Sequence, residues 1–291
     1  MKLLNKVLTS TQEDLFDSIS SMTNVKVGSN YLLFNYDEVV KPMLCVHLDT
    51  INTHRNKNEL SLLDIVEKEG IISLHIDSNA SCLGADDRAG VWIALQIMNN
   101  INNGVIPKNS YSIGFFCDEE IGGIGSNTCF KDTDLSCVSA YIGLDRRNTT
   151  IGQKEVASYG CDNKELLQIC KDYGYIETSG SFTDASNLSN NSNIACINLS
   201  IGYNMEHTQR EYLCYDDMKE TYDFLMIIPF GNVVYNYTPY VYDDYFDFRD
   251  DEEEGEVICD FCSNHEKLFK IRIEGTMYYL CESCMSYENA S

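Results

Sequence analysis

Basic residues are scarce in this chain. Lys and Arg together number 21 against 45 Asp and Glu, a formal net charge of −24 over 291 residues. Nucleic-acid backbones are held by clustered Lys and Arg, so this balance excludes nucleic acid as an expected partner and slightly favours a cation. Long apolar runs are also missing. None reaches the roughly 18–20 residues that a membrane helix needs, so no membrane partner is expected. The opening Met1-Lys2-Leu3-Leu4-Asn5-Lys6 begins like a secretory leader, but Asn5 and Lys6 interrupt it and Glu13 and Asp14 follow. A hydrophobic stretch and a small-residue cleavage site are lacking, which points to the cytoplasm. A disulfide framework is lacking too. The 13 cysteines are an odd number, and many, such as Cys45, Cys117, Cys170 and Cys196, lie in apolar stretches where thiols pack as small hydrophobes. The last four are paired at metal-ligand spacing, a pattern that suits a reducing compartment.

The length allows one large domain with its own core plus a small appendage. Ser10-Thr11-Gln12-Glu13 reads as a capping box that opens a helix through about Met22. β-rich segments follow near Val25–Val27 and Tyr31–Tyr36. Four apolar runs then recur, Pro42–Val46, Ser112–Cys117, Ala140–Leu144 and Ile194–Leu199. Short continuous runs of this kind suit strands buried on both faces. Helical periodicity marks Arg88–Asn102, where Val91, Ala94, Leu95, Met98 and Ile101 share a face, and also Lys164–Tyr173 and Asp216–Ile228. Strands alternating with helices predict an α/β domain with a mostly parallel central sheet flanked by helices. That domain is expected over residues 1–232. An acidic, aromatic linker is expected over 233–257 and a small β module over 258–291.

Each apolar run leads to a residue able to hold metal. Pro42–Val46 runs into His47-Leu48-Asp49, and Ser112–Cys117 into Asp118-Glu119-Glu120. Ala140–Leu144 ends at Asp145, and Ile194–Leu199 leads on to His207. In open α/β sheets ligands bind beyond the carboxyl ends of the strands, so these groups are expected in one crevice. Asp86 and Asp87 add carboxylates from the loop before a helix. Each pair also has an ordinary reading: His-x-Asp as a surface pair, Glu119-Glu120 as a solvated edge, Asp86-Asp87 as a helix N-terminus. Their joint order favours metal, because carboxylates directly after buried strands are costly without a partner.

The stretches CVHLDT (45–50), LGADDRAG (83–90), FFCDEEIGGIGS (115–126), IGLD (142–145), SFTDASNL (181–188) and GYNMEHTQREYL (202–213) resemble, in order, those of the co-catalytic di-zinc exopeptidases. That superfamily includes peptidase T and the leucyl and glutamyl aminopeptidases. The resemblance implies one zinc on His47, Asp86 and Asp145 and another on Asp86, Glu120 and His207, with Asp86 bridging. Mn²⁺ or Co²⁺ are alternatives. It implies Asp49 as the residue that orients His47 and Glu119 as the general base. The larger relatives insert a lid after the Asp145 position, and here that lid is expected to be absent. Arg146 and Arg147 are candidates for a substrate carboxylate or for local ion pairs. Asp184 is a candidate pocket residue or a turn or cap residue.

Near the C-terminus, Cys259-x-x-Cys262 and Cys281-x-x-Cys284 have the spacing of a structural zinc site, and Leu268–Ile273 with Thr276–Leu280 read as a hairpin between them. This stretch resembles a zinc ribbon, with one structural zinc and a role in docking protein. The overall expectation is a metallo-exopeptidase acting on a peptide, with a carboxypeptidase, a dipeptidase or a deacylase of acylated amino acids as alternatives. A protein of another class, binding partners through the ribbon without catalysis, is the third reading.

Overall fold

Four short apolar runs meet in the middle of one sheet, and their order brings distant residues to a common edge. The computed structural model describes residues 1–51, 60–159, 163–180, 182–231 and 235, with the backbone alone of strands at 53–54, 57–58, 268–273 and 276–281. The chain divides into two units, Met1–Thr238 and Pro239–Ser291.

The first unit opens with α1 (Lys2–Thr9), α2 (Gln12–Ser20), β1 (Val25–Val27), β2 (Tyr31–Phe34) and β3 (Lys41–His47). The short β4 (Thr53–His54) and β5 (Lys57–Asn58) come next, then β6 (Ile65–Lys68), β7 (Ile71–Leu74), α3 (Ala85–Asn102), β8 (Ser112–Phe116), α4 (Ile124–Asp132) and β9 (Val138–Arg146). It continues with β10 (Glu155–Ser158), α5 (Lys164–Asp172), β11 (Ile176–Ser179), α6 (Asp184–Ser192), β12 (Cys196–Ser200), β13 (Tyr203–Asn204), β14 (Tyr212–Cys214) and α7 (Tyr215–Met226).

The main sheet has the order β1-β2-β8-β3-β9-β12-β10-β11. β3 pairs parallel with β8 and β9, and β9 parallel with β12. β2 joins β8 antiparallel on one side, and β10 joins β12 antiparallel on the other. This is the α/β architecture with a mostly parallel sheet that the alternation predicts. β3, β8 and β12 are buried along their whole length. Alternate residues serve two cores. Leu44 and Val46 join the core that includes Leu4, Ile93 and Ile97 from α1 and α3, while Met43 and Cys45 join Cys129, Ala185 and Leu188 from α4 and α6. Burial on both faces is why these runs show no polar alternation. A second, antiparallel sheet, β13-β14-β7-β6, stands apart from the main one.

Some local expectations shift. The capping box forms one residue later than the sequence predicts. Thr11 Oγ1 accepts from Asp14 N–H at 2.9 Å, and Thr11 N–H donates to the Asp14 carboxylate at 3.3 Å. Ser10 is occupied as the C-cap of α1, a helix the sequence reading did not anticipate although Leu4, Val7 and Leu8 mark its buried face. In α3 the buried stripe is centred on Ile93 and Ile97 as well as Val91, Ala94 and Met98, and Leu95 is only partly buried. The first unit also extends past Asn232, since Tyr235 N–H donates to Ser139 O at 3.0 Å.

In the second unit β15 (Leu268–Ile273) pairs antiparallel with β16 (Thr276–Cys281), where the sequence predicts a hairpin. Cys259, Cys262, Cys284, the Cys281 side chain and the acidic linker lie outside the described residues.

Candidate metal centre

Because β8, β3, β9 and β12 run parallel, their carboxyl ends open on one edge of the sheet. His47 is the last residue of β3 and is buried. Glu119 and Glu120 follow β8, Asp145 is the penultimate residue of β9, and His207 lies between β13 and β14. Asp86 arrives from another direction, the first turn of α3. Ligand atoms of His47, Asp86 and Asp145 lie within 4.8 Å of one another, as do those of Asp86, Glu120 and His207. Asp86 belongs to both trios. Its Oδ1 is 3.0 Å from His47 Nε2 and its Oδ2 is 3.3 Å from His207 Nε2. Glu120 Oε1 stands 3.0 Å from His207 Nε2, and Asp145 Oδ1 stands 3.6 Å from His47 Nε2.

Asp87 does not share this role. Its carboxylate accepts from the His47 N–H and the Gly90 N–H, each at 3.0 Å, so it braces the loop from behind. Asp49 Oδ1 lies 3.3 Å from His47 Nδ1. The Asp49 carboxylate also accepts from the N–H groups of Glu119 at 3.1 Å and Glu120 at 3.0 Å. One side chain thus ties the turn after β3 to the turn after β8, and Glu119 is held beside both trios without being part of either.

Asp145 is held on every side. Asn198 accepts from its N–H at 2.9 Å and donates to its carbonyl at 3.0 Å. Tyr203 Oη donates to Asp145 Oδ1 at 3.2 Å and Thr183 Oγ1 to Oδ2 at 3.1 Å. Asn198, Tyr203 and Thr183 carry no signal of this role in the sequence. The last two stand in or beside the resembling stretches, but which carboxylate they serve is set by folding. Arg146 and Arg147 both have acidic neighbours, Glu155 at 3.8 Å and Glu206 at 2.8 Å. Asp184 is buried as the first residue of α6.

The electrostatics show what the site is short of. Burial works against a charged His47, yet Asp145, Asp49 and Asp86 hold its pKa well above the usual imidazole range. Hydrogen bonds to Asp86 and Glu120 push His207 up to about 11. Burial, reinforced by Asp86, raises Asp145, and burial against neighbouring carboxylates raises Glu119. Carboxylates crowd around two imidazoles that must retain protons to balance them. Buried like charges of this kind need cations. The donor set of carboxylate oxygens and imidazole nitrogens fits zinc and also admits manganese or cobalt.

Fold and site together define a metallo-exopeptidase. Solved structures share the fold: aminopeptidase PepT from Bacillus cereus ATCC 10987 (TM-score 0.54, 14% identity, 77% of this chain and 95% of that one), a tripeptidase from Staphylococcus aureus (0.53, 15%, 79% and 98%) and the TET aminopeptidase of Thaumarchaeota archaeon SCGC AB-539-E09 (0.55, 12%, 79% and 96%). No curated protein sequence matches the chain. Residues 52–224 match the model of the peptidase M42 family, M42 glutamyl aminopeptidase, and the chain belongs to that family.

Proposed function

We propose that this chain is an aminopeptidase that releases N-terminal residues from short peptides, with two divalent ions, most naturally zinc, held by His47, Asp86, Glu120, Asp145 and His207. The observation that carries this reading is the pair of three-residue groups sharing Asp86. Ions bound there would supply Lewis acidity to polarise a carbonyl and acidify a water. The remaining work falls to the chain. Asp49 fixes the His47 ring and, through the backbone of Glu119 and Glu120, the turn that carries the base. Glu119 takes a proton from the attacking water at its carboxylate and delivers it to the leaving amine.

β9 passes to β10 through residues 147–154, a segment too short to contain a domain, which supports a catalytic unit without a lid after Asp145. Substrate contacts therefore come from this unit's own residues, with Arg146, Arg147 and the buried Asp184 as the candidates. In the second unit we assign Cys259, Cys262, Cys281 and Cys284 to one structural zinc and a protein-docking role. A cytoplasmic setting accords with the free thiols of Cys45 and Cys170.

Dipeptides with free amines, blocked amines and blocked carboxylates, assayed with added zinc, test the reading. Hydrolysis should require the free amine. Glu119→Gln should lower kcat by about 10²–10⁴-fold, the usual worth of a general base, with metal content unchanged. Cleavage of blocked-amine substrates alone would reject the aminopeptidase in favour of a deacylase. Equal background rates for both proteins would point to a non-catalytic binding role.

A further inference from the structure

Glu211 is wholly buried, although it stands only four residues after the half-exposed His207. A turn closed by Glu211 N–H donating to Thr208 O at 3.0 Å brings it inward, and β14 begins at the next residue. Its carboxylate does not approach either imidazole. Oε2 accepts from the Gly84 N–H at 2.8 Å, and Oε1 accepts from the Asp86 N–H at 3.1 Å.

Those two N–H groups have an unmet need. Buried N–H groups outside regular structure require an acceptor, and the backbone at Asp86 (ψ 107°) and Asp87 (φ −110°, ψ 34°), within the first turn of α3, is not helical. The regular helix that follows is served by Asp87, whose carboxylate accepts from the Gly90 N–H, and Gly84, in a left-handed conformation (φ 71°), has no side chain to offer. A side chain in its place would have little room, since an added Cβ would lie 3.1 Å from Thr50 Cγ2. Glu211 therefore caps this non-helical entry to α3 from another part of the chain.

The position of the cap gives it a second consequence. Asp86 is the residue common to both ligand trios, and its backbone N–H is one of the two that Glu211 grips. The same Glu211 sits at the foot of the loop that carries His207. We propose that Glu211 is a positioning residue for the metal centre, a clasp that sets Asp86 relative to His207 without touching metal or substrate. The proposal rests on the two-metal reading above. The carboxylate is matched to the task because each oxygen faces one N–H. Gln keeps one acceptor and turns an NH₂ toward the other donor, and Ala removes both.

Manganese(II) is the probe, because thiolates discriminate against it and the C-terminal cysteines then add nothing to the titration. Free Mn(II) is followed by electron paramagnetic resonance in the full-length wild type, in Glu211→Gln and Glu211→Ala, and in Leu4→Ala as a comparison for lost stability alone. Leu4 is buried in α1. Outer residues that orient ligands are worth about 10–100-fold in metal affinity. Affinity should fall about tenfold in Glu211→Gln and about a hundredfold in Glu211→Ala, with kcat falling and KM for a dipeptide unchanged. Leu4→Ala should lower the melting temperature and leave Mn(II) affinity at the wild-type value. If Glu211→Ala does not fold, Glu211→Gln decides. Wild-type affinity in Glu211→Gln, beside tight binding by the wild type, overturns the clasp and leaves the two-metal reading standing. Failure of the wild type to bind Mn(II) or zinc outside the cysteines overturns both.

Discussion

Lys41 begins β3 and is almost completely buried, yet it carries a charge. Its Nζ lies 2.7 Å from Asp37 Oδ1, whose side chain remains 42% exposed. Burial would raise the Asp37 pKa, but the hydrogen bond from Lys41 and the Val39 N–H outweigh it and lower the value. A carboxylate whose folded pKa is depressed adds stability above its unfolded value, near 3.9, and loses it as the pH falls through the folded value. Asp37→Asn removes the anionic partner of Lys41, and because the Asp37 side chain is 42% exposed, solvent screening holds the cost to about 1 kcal/mol or less near neutral pH. Urea midpoints of wild type and variant should differ most at pH 6, and the gap should close as the pH is taken below about 4. A gap that stays constant with pH would show that the ion pair contributes nothing. At this same scale the proposed ligands were readable, since His47, Asp86, Glu120, Asp145 and His207 stand in recognisable stretches and the fold brings them together. Their supports were not. Asn198 serves Asp145 through a strand pairing, and Glu211 serves Asp86 across 125 residues, contacts that only the fold creates.

Among elements, the contact of α3 with β9 fixes Asp86 against Asp145. Gly90 makes that contact, for a Cβ built there would lie 2.1 Å from Leu144 O and 2.2 Å from Asp87 Oδ1. One neighbour is backbone and the other is a carboxylate already engaged with the Gly90 N–H, so neither can move aside freely. Gly90→Ala should push the helix off the strand, destabilise the first unit by about 3 kcal/mol or more, and weaken metal retention together with stability. Urea unfolding beside a metal titration checks this. A variant within about 0.5 kcal/mol of wild type, the range of neutral surface changes, would mean the helix already has room. The strongly apolar elements were legible because burial on both faces leaves an unbroken run, as in β3 and β12. α6 was not, since Asp184–Ser192 buries only Ala185 and Leu188 as apolar residues and its polar length reads as loop. Its start is marked by a Thr183–Ser186 capping box, a weaker signal than the familiar Ser/Thr with Glu. The four strands of the second sheet escaped for a related reason. β6 and β7 are half-buried, and β13 and β14 are only two and three residues long.

For the molecule as a whole, the proposed metal inventory separates the two units. Among the described residues both hydrophobic cores are built from the first unit, which therefore has a core of its own. The proposed sites divide in the same way, with the paired centre in residues 47–207 and the four cysteines in 259–284. A chain ending at Thr238 should therefore fold, retain about two zinc ions per chain, and keep its peptidase activity, while the full-length protein carries about three. The ions should also differ in chemistry. Thiolates hold zinc as a closed, soft site, whereas the carboxylate and imidazole donors accept manganese or cobalt. Mild chelation followed by Mn(II) should thus refill the paired centre and restore activity while one zinc stays bound. Equal metal content in the long and short chains would remove the zinc ribbon from the second unit, and loss of activity on truncation at Thr238 would show that the second unit takes part in catalysis.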